Sequence, residues 1–141
     1  MLGGVKSRWI DRWRAWQQRR SAPGMRAERA AARYLKRHGC RVLARNLRTR
    51  IGEVDILAQD RASGQVVIVE VKSAAADDPP PEQHLDRHKE RKLSMLAADL
   101  VRRFGLEDRS VRFDVIGVVW PAGARRPTRL THHVGAFEST L

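Results

Sequence analysis

The residues with the most chemical content are Asp55 and the tripeptide Glu70-Val71-Lys72. Gln65-Val66-Val67-Ile68-Val69 leads into the tripeptide as an apolar run, the pattern of a central strand covered on both faces. Such a strand does not ordinarily end in two charges on one side. Glu70 and Lys72 are two apart and point the same way, and either charge buried without a partner costs about 3–5 kcal/mol. A compensating group is required. Asp55 lies on the charged side of the preceding strand, so an Asp, a Glu and a Lys converge if the two strands form a hairpin. Phosphodiester hydrolysis uses such a set. Carboxylates hold a hard cation, Mg²⁺ or Mn²⁺, which neutralises phosphate charge and lowers the pKa of a water. A lysine beside them orients or helps deprotonate that water and stabilises developing charge. In this scheme Asp55 and Glu70 are metal ligands and Lys72 activates the water.

Two further charged residues are candidates. Glu28 precedes Ala31, Ala32 and Leu35 by three, four and seven positions, which places a carboxylate on or beside the inward stripe of a helix. Two roles stay open for it: a further acid at the same cation, or a first-turn acid favoured by the helix macrodipole. Lys89 lies in line with Leu85 and Leu93 on a later helix, and is either a substrate phosphate contact or a lysine snorkelling from a helix edge. Other signals are weaker. His84 and His88 have zinc-pair spacing but lack the intervening Glu of a metalloprotease, so a solvated face is expected. His132 and His133 point to opposite faces of a strand, and neither is assigned. Asp114 follows Arg112 by two and pairs with it across one strand face. No Ser/His/Asp arrangement, P-loop or dinucleotide fingerprint is present.

The elements that must position these groups are legible from periodicity. Residues 26–38 read as a helix with Gly39 as its stop. Residues 40–45 read as a first strand, Val54-Ile56-Ala58 alternating with polar positions as a second, and 66–71 as a third. Ser63-Gly64 makes the last two a hairpin. A helix is expected over about 82–104, capped by Gly105, then a fourth strand over 111–120 and a short edge strand over 129–134. Residues 1–24, ending in Ser21-Ala22-Pro23-Gly24, form a separate basic arm with Trp9, Trp13 and Trp16 at one-face helical spacing. Residues 25–141 form a single domain. The arm suits an anionic surface or a nucleic acid, or is a loose basic tail.

Composition narrows the partners. The chain has 141 residues, with 28 Lys+Arg against 16 Asp+Glu and a formal charge of +12. That balance points to a polyanion, and arginine, with its planar donor fork, supplies most of it. Arg-rich coding from genome composition accounts for part of the excess. A single cysteine excludes a disulfide scaffold and a structural zinc module. No apolar run approaches the ~20 residues of a membrane span or the core of a signal peptide. A cytoplasmic protein is therefore expected.

Ala27-Glu28, Ala31-Ala32-Arg33-Tyr34-Leu35, Gly39, Asn46, Gly52-Glu53-Val54-Asp55, Val69-Glu70-Val71-Lys72, Lys89, Arg112-Phe113-Asp114-Val115 and Ala136-Phe137 resemble, in order over about residues 25–138, the YraN-like family of bacterial proteins. That family is assigned to the restriction-endonuclease-like, PD-(D/E)xK superfamily and is similar to archaeal Holliday-junction resolvases. The resemblance implies an α/β fold with an α-β-β-β-α-β core, a central mixed sheet flanked by helices. It also implies Glu28, Asp55, Glu70 and Lys72 as metal and catalytic positions. By analogy with resolvases it implies a homodimer. The sequence departs from the family pattern at Ala74, where a basic residue is usual, and at Gly135, where an Asn is common. The expected function is a Mg²⁺-dependent nuclease-like hydrolase acting on DNA, branched or structured. The competing expectation is a nucleic-acid-binding module without turnover.

Overall fold

The structure is a computed structural model, and it describes residues 22–81 and 87–137. The element order is α1 (Ala22–Arg37), β1 (Cys40–Arg48), β2 (Glu53–Asp60), β3 (Val66–Ala74), α2 (Arg87–Arg103), β4 (Val111–Val119) and β5 (Arg129–Phe137). The strands form one mixed sheet in the order β1-β2-β3-β4-β5, antiparallel except for β3 and β4, which run parallel. Parallel neighbours need a crossover, and α2 is that crossover. This is the α-β-β-β-α-β order of a restriction-endonuclease-like core, with β5 added at the edge.

Helix α1 begins at Ala22, ahead of the expected start at residue 26. Pro23 does not oppose this, because a proline in the first helical turn removes an N–H that has no intrahelical acceptor and presets a helical φ. Ala22-Pro23-Gly24 therefore belong to the first turn of the helix. Trp9, Trp13 and Trp16 lie outside the described residues, as do residues 82–86 of the expected second helix. At the other end of α1, Gly39 adopts φ +86°, and the chain leaves directly into β1.

Two apolar layers cover the sheet. Ala27, Ala31, Ala32 and Leu35 of α1 pack on Ile56, Ala58, Val67, Val69, Ile116 and Val118. Leu96, Ala97 and Leu100 of α2 pack on Leu57, Val66, Ile68 and Phe113 of the opposite face. Val66–Val69 are all buried because β3 has a helix over each face. β1 runs three residues beyond its expected end at Arg45, because a bulge between Val42 and Ala44 and a positive φ at Asn46 (54°) keep it paired to β2 as far as Arg48–Glu53.

The β2–β3 hairpin closes as its turn residues require. Asp60 N donates to Gln65 O at 2.9 Å, Asp60 Oδ1 accepts from Ala62 N at 2.9 Å, and Gly64 sits at φ +76°. Gly64→Ala is expected to destabilise by about 1–2 kcal/mol, from the left-handed conformation. The added Cβ would also meet Arg109 Nη1 at 2.8 Å, but a flexible side-chain tip moves easily. A shift in the urea midpoint with unchanged slope checks this.

Candidate active site at the strand fork

β2 and β3 pair from Gln59–Val66 to Ile56–Val69 and then part. Continuing the register by one position sets Asp55 opposite Glu70, at the mouth of the fork. The Asp55 carboxylate takes over from the ladder there, its Oδ2 accepting from Val71 N at 2.8 Å. Glu70 Oε1 lies 3.2 Å from Lys72 Nζ, with both side chains largely buried. The three side chains line one cleft of about 560 Å³.

The wall of that cleft is the β1–β2 turn, organised by Thr49. Its Oγ1 donates to Gly52 O at 2.9 Å and accepts from Ile51 N and Gly52 N, each at 3.1 Å. Arg48 and Arg50 thereby line the cleft, and Lys92 of α2 lies against the turn. A Cβ on Gly52 would stand 3.0 Å from Lys92 Cε and 3.4 Å from Leu96 Cδ1, so glycine permits this close approach. Four cations, Arg48, Arg50, Lys72 and Lys92, thus face three acids, Glu53, Asp55 and Glu70. A phosphate can be held there beside the carboxylates.

Glu28 is 1% exposed and lies among the α1 residues that face the sheet. The early start of α1 places it beyond the first turn, which carries no acid, so the first-turn macrodipole role is excluded. It is not among the residues lining the cleft. Among the described residues, no group of three or more His, Cys, Asp or Glu side chains is placed to hold one ion. Of the acids lining the cleft, the sequence-expected pair Asp55 and Glu70 lies with Lys72 at the fork. Two oxygen-donor residues beside cationic side chains fit Mg²⁺, which keeps several waters and is commonly held by one or two carboxylates and substrate phosphates. The side chain of Lys89 lies outside the described residues, as do His84 and the side chain of His88. Lys92, one turn further along α2, is the lysine that lines the cleft. The helical spacing of Lys89, Lys92 and Leu96 was the available signal for it.

A second charged cluster lies on β4 and its neighbours. Arg112 Nε and Nη2 donate to the two oxygens of Asp114 at 2.9 and 3.0 Å, and its Nη1 donates to Asp60 Oδ2 at 3.1 Å. Asp114, whose side chain is wholly buried, also accepts from Gly135 N at 2.9 Å and contacts His132 Nε2 at 2.7 Å. Burial raises the Asp114 pKa, but the hydrogen bonds from His132, Arg112 and Gly135 outweigh it and hold the carboxyl below its ordinary range. An ionised carboxylate only accepts, so His132 Nε2 carries the proton in this contact. Asp60 is likewise lowered, first by the Arg112 hydrogen bond. The Arg112–Asp114 pairing was expected from spacing; the recruitment of Asp60 and His132 was not. Nearby Cys40 is buried, and burial with the Asp60 charge pushes its thiol up, which disfavours the thiolate.

The five-stranded mixed sheet between two helices defines an α/β protein whose element order is consistent with a restriction-endonuclease-like core. Residues 27–118 match the model of the Uncharacterised protein family UPF0102. A UPF0102 protein of Rhodopirellula baltica is 36% identical over 117 residues, covering 82% of this chain and 70% of that protein. One from Mycobacterium bovis is 41% identical over 118 residues, covering 79% and 89%. One from Pelobacter propionicus is 36% identical over 116 residues, covering 82% of this chain and 81% of that protein. The chain belongs to the UPF0102 family, the YraN-like proteins. Among the described residues, no helix is long and apolar enough to cross a membrane.

Proposed function

We propose that this protein is a Mg²⁺- or Mn²⁺-dependent nuclease acting on DNA, with branched or otherwise structured DNA as its substrate class. The observation that carries the reading is that Asp55, Glu70 and Lys72 line one cleft where β2 and β3 part, with Asp55 Oδ2 accepting from Val71 N at 2.8 Å and Lys72 Nζ 3.2 Å from Glu70. Asp55 and Glu70 are the residues that hold the cation; Glu28, buried on α1 and outside the cleft lining, is not a ligand in this reading. When bound, the cation supplies Lewis-acid neutralisation of the scissile phosphate. Lys72 orients the attacking water and stabilises charge at the phosphoryl oxygens. Arg48, Arg50 and Lys92 position the phosphodiester backbone.

Cleavage of branched, nicked and single-stranded DNA with Mg²⁺ or Mn²⁺ tests the proposal, the Asp55→Ala/Glu70→Ala double variant serving as the blank. Product formed by wild type and not by the double variant supports it. Equal behaviour on every substrate overturns it. Lys92→Ala is expected to raise KM roughly three- to tenfold with kcat little changed, as for a contact equally strong in ground and transition states. Steady-state kinetics on the preferred substrate check this.

The Glu70–Lys72 ion pair also favours a second reading, a nucleic-acid-binding module without turnover, because the two charges already satisfy each other. Salt-dependent binding that survives Asp55→Ala, with no cleavage on any substrate, would select that reading. A homodimer is part of the proposal by analogy with resolvases, and sedimentation of the full chain reads it directly.

A further inference from the structure

We propose that a groove between α1 and the β4–β5 loop, separate from the Asp55–Glu70 cleft, binds an unpaired strand of nucleic acid. The inference takes its class of ligand from the proposed function and adds where and in what form that ligand is held.

The groove, about 760 Å³, is lined along α1 by Arg26, Arg29, Arg33 and Arg37. Offsets of three, seven and eleven place these on one helical face, a cationic stripe about 16 Å long at ~1.5 Å per residue. Arg125 and Arg126 face it from the β4–β5 loop, and no carboxylate lines the groove among the described residues. All six arginines are exposed. Charge complementarity therefore requires an anion of extended form, since six guanidinium groups spread over such a length exceed what one phosphate can engage.

Aromatic rings lie between the cations. Trp120 is held in place by its Nε1–H donating to Ala124 O at 2.8 Å, with the Arg26 guanidinium 4.9 Å from its ring centroid. Tyr34 and His38 stack with centroids 4.0 Å apart, and both line the groove. Rings interleaved with arginines match the two needs of a single strand, stacking for unpaired bases and charge for the backbone. A duplex hides its base faces and has no use for the rings. A lipid surface asks instead for exposed apolar side chains, and the large ones among the described residues, Met95, Phe104 and Val134, do not line the groove.

The test is fluorescence anisotropy of the full chain with a labelled oligothymidylate and with a labelled duplex of equal length, in EDTA, across a salt titration. Arg33→Ala/Arg37→Ala is expected to bind the single strand about tenfold more weakly, with the log–log salt slope shallower by about 1.4 for two lost contacts. The comparison is Arg41→Ala/Arg61→Ala, which removes the same charge from exposed positions outside the groove and is expected to change affinity much less. An equal loss in both pairs overturns the proposal. So does an equal loss on duplex and single strand, or displacement of the oligonucleotide by anionic vesicles. EDTA separates this result from catalysis. If no substrate is cleaved and the groove pair still weakens single-strand binding selectively, the nuclease reading falls and the groove stands. If cleavage depends on Asp55 and Glu70 while the groove pair binds as wild type, the groove falls alone.

Discussion

Glu70→Ala is expected to lower DNA cleavage by about 10³-fold and to remove saturable Mn²⁺ binding, whereas Lys72→Met lowers kcat by about 10²–10⁴ and leaves Mn²⁺ affinity within a few-fold. The two residues share one ion pair, but the proposed function gives them separate work. Glu70 supplies oxygen ligands, and its loss removes several kcal/mol of charge stabilisation at about 1.4 kcal/mol per decade. Lys72 acts on the water and the phosphoryl oxygens. Isothermal titration with Mn²⁺ and single-turnover cleavage on the same preparations separate these effects. A Lys72→Met protein as active as wild type would remove lysine from the mechanism, and a Glu70→Ala protein with undiminished Mn²⁺ affinity would remove the metal assignment.

Asp114→Ala is expected to destabilise the fold by about 2–4 kcal/mol at neutral pH, because it takes the bidentate partner from the part-buried Arg112 guanidinium, which keeps only Asp60, and the carboxylate from His132 and Gly135 N. A domain of this size is stable by only about 5–15 kcal/mol, so the loss is a large share. Asp114→Asn retains the shape and serves where the alanine variant does not fold. The pH dependence has a definite sign. Asp114 and Asp60 both have folded-state pKa values below their unfolded ones, so the unfolded chain binds protons first as the pH falls. Their stabilisation is complete above the unfolded carboxylate range near pH ~4 and is lost as the pH drops through the lower folded values. Urea midpoints at pH 7 and pH 3 should therefore converge between wild type and Asp114→Asn. Parallel curves would show that the cluster does not govern acid stability.

Neither effect could be derived in full from the chain alone, and the reason differs between the two. At the fork, Val66–Val69 marked a doubly covered strand, Ser63-Gly64 set the hairpin, and the period of two put Glu70 and Lys72 on one side. These are local properties, so the candidate residues Asp55, Glu70 and Lys72 were legible. The cleft wall was not. Arg48 reaches it only because the bulge in β1 and the positive φ at Asn46 extend that strand, and Lys92 only because Gly52 admits its stem. The start of α1 was misplaced for a local reason, since Pro23-Gly24 reads as a break until the proline is seen to occupy the first turn.

The amino-acid order by itself determined the α/β class, the succession of strands and helices, the cationic balance and the residue types at the fork, because periodicity and composition act over a few neighbouring positions. Tertiary structure alone decided which distant charges meet. Asp60, Asp114 and His132 converge on one largely buried cluster through the β2–β3 and β4–β5 pairings and the parallel union of β3 with β4. The Arg26-to-Arg37 face of α1 meets Arg125, Arg126 and Trp120 across a groove. Electrostatic and stacking interactions depend on separation in space. The fold brings residues far apart in the chain within a few ångströms, and no local pattern encodes that approach.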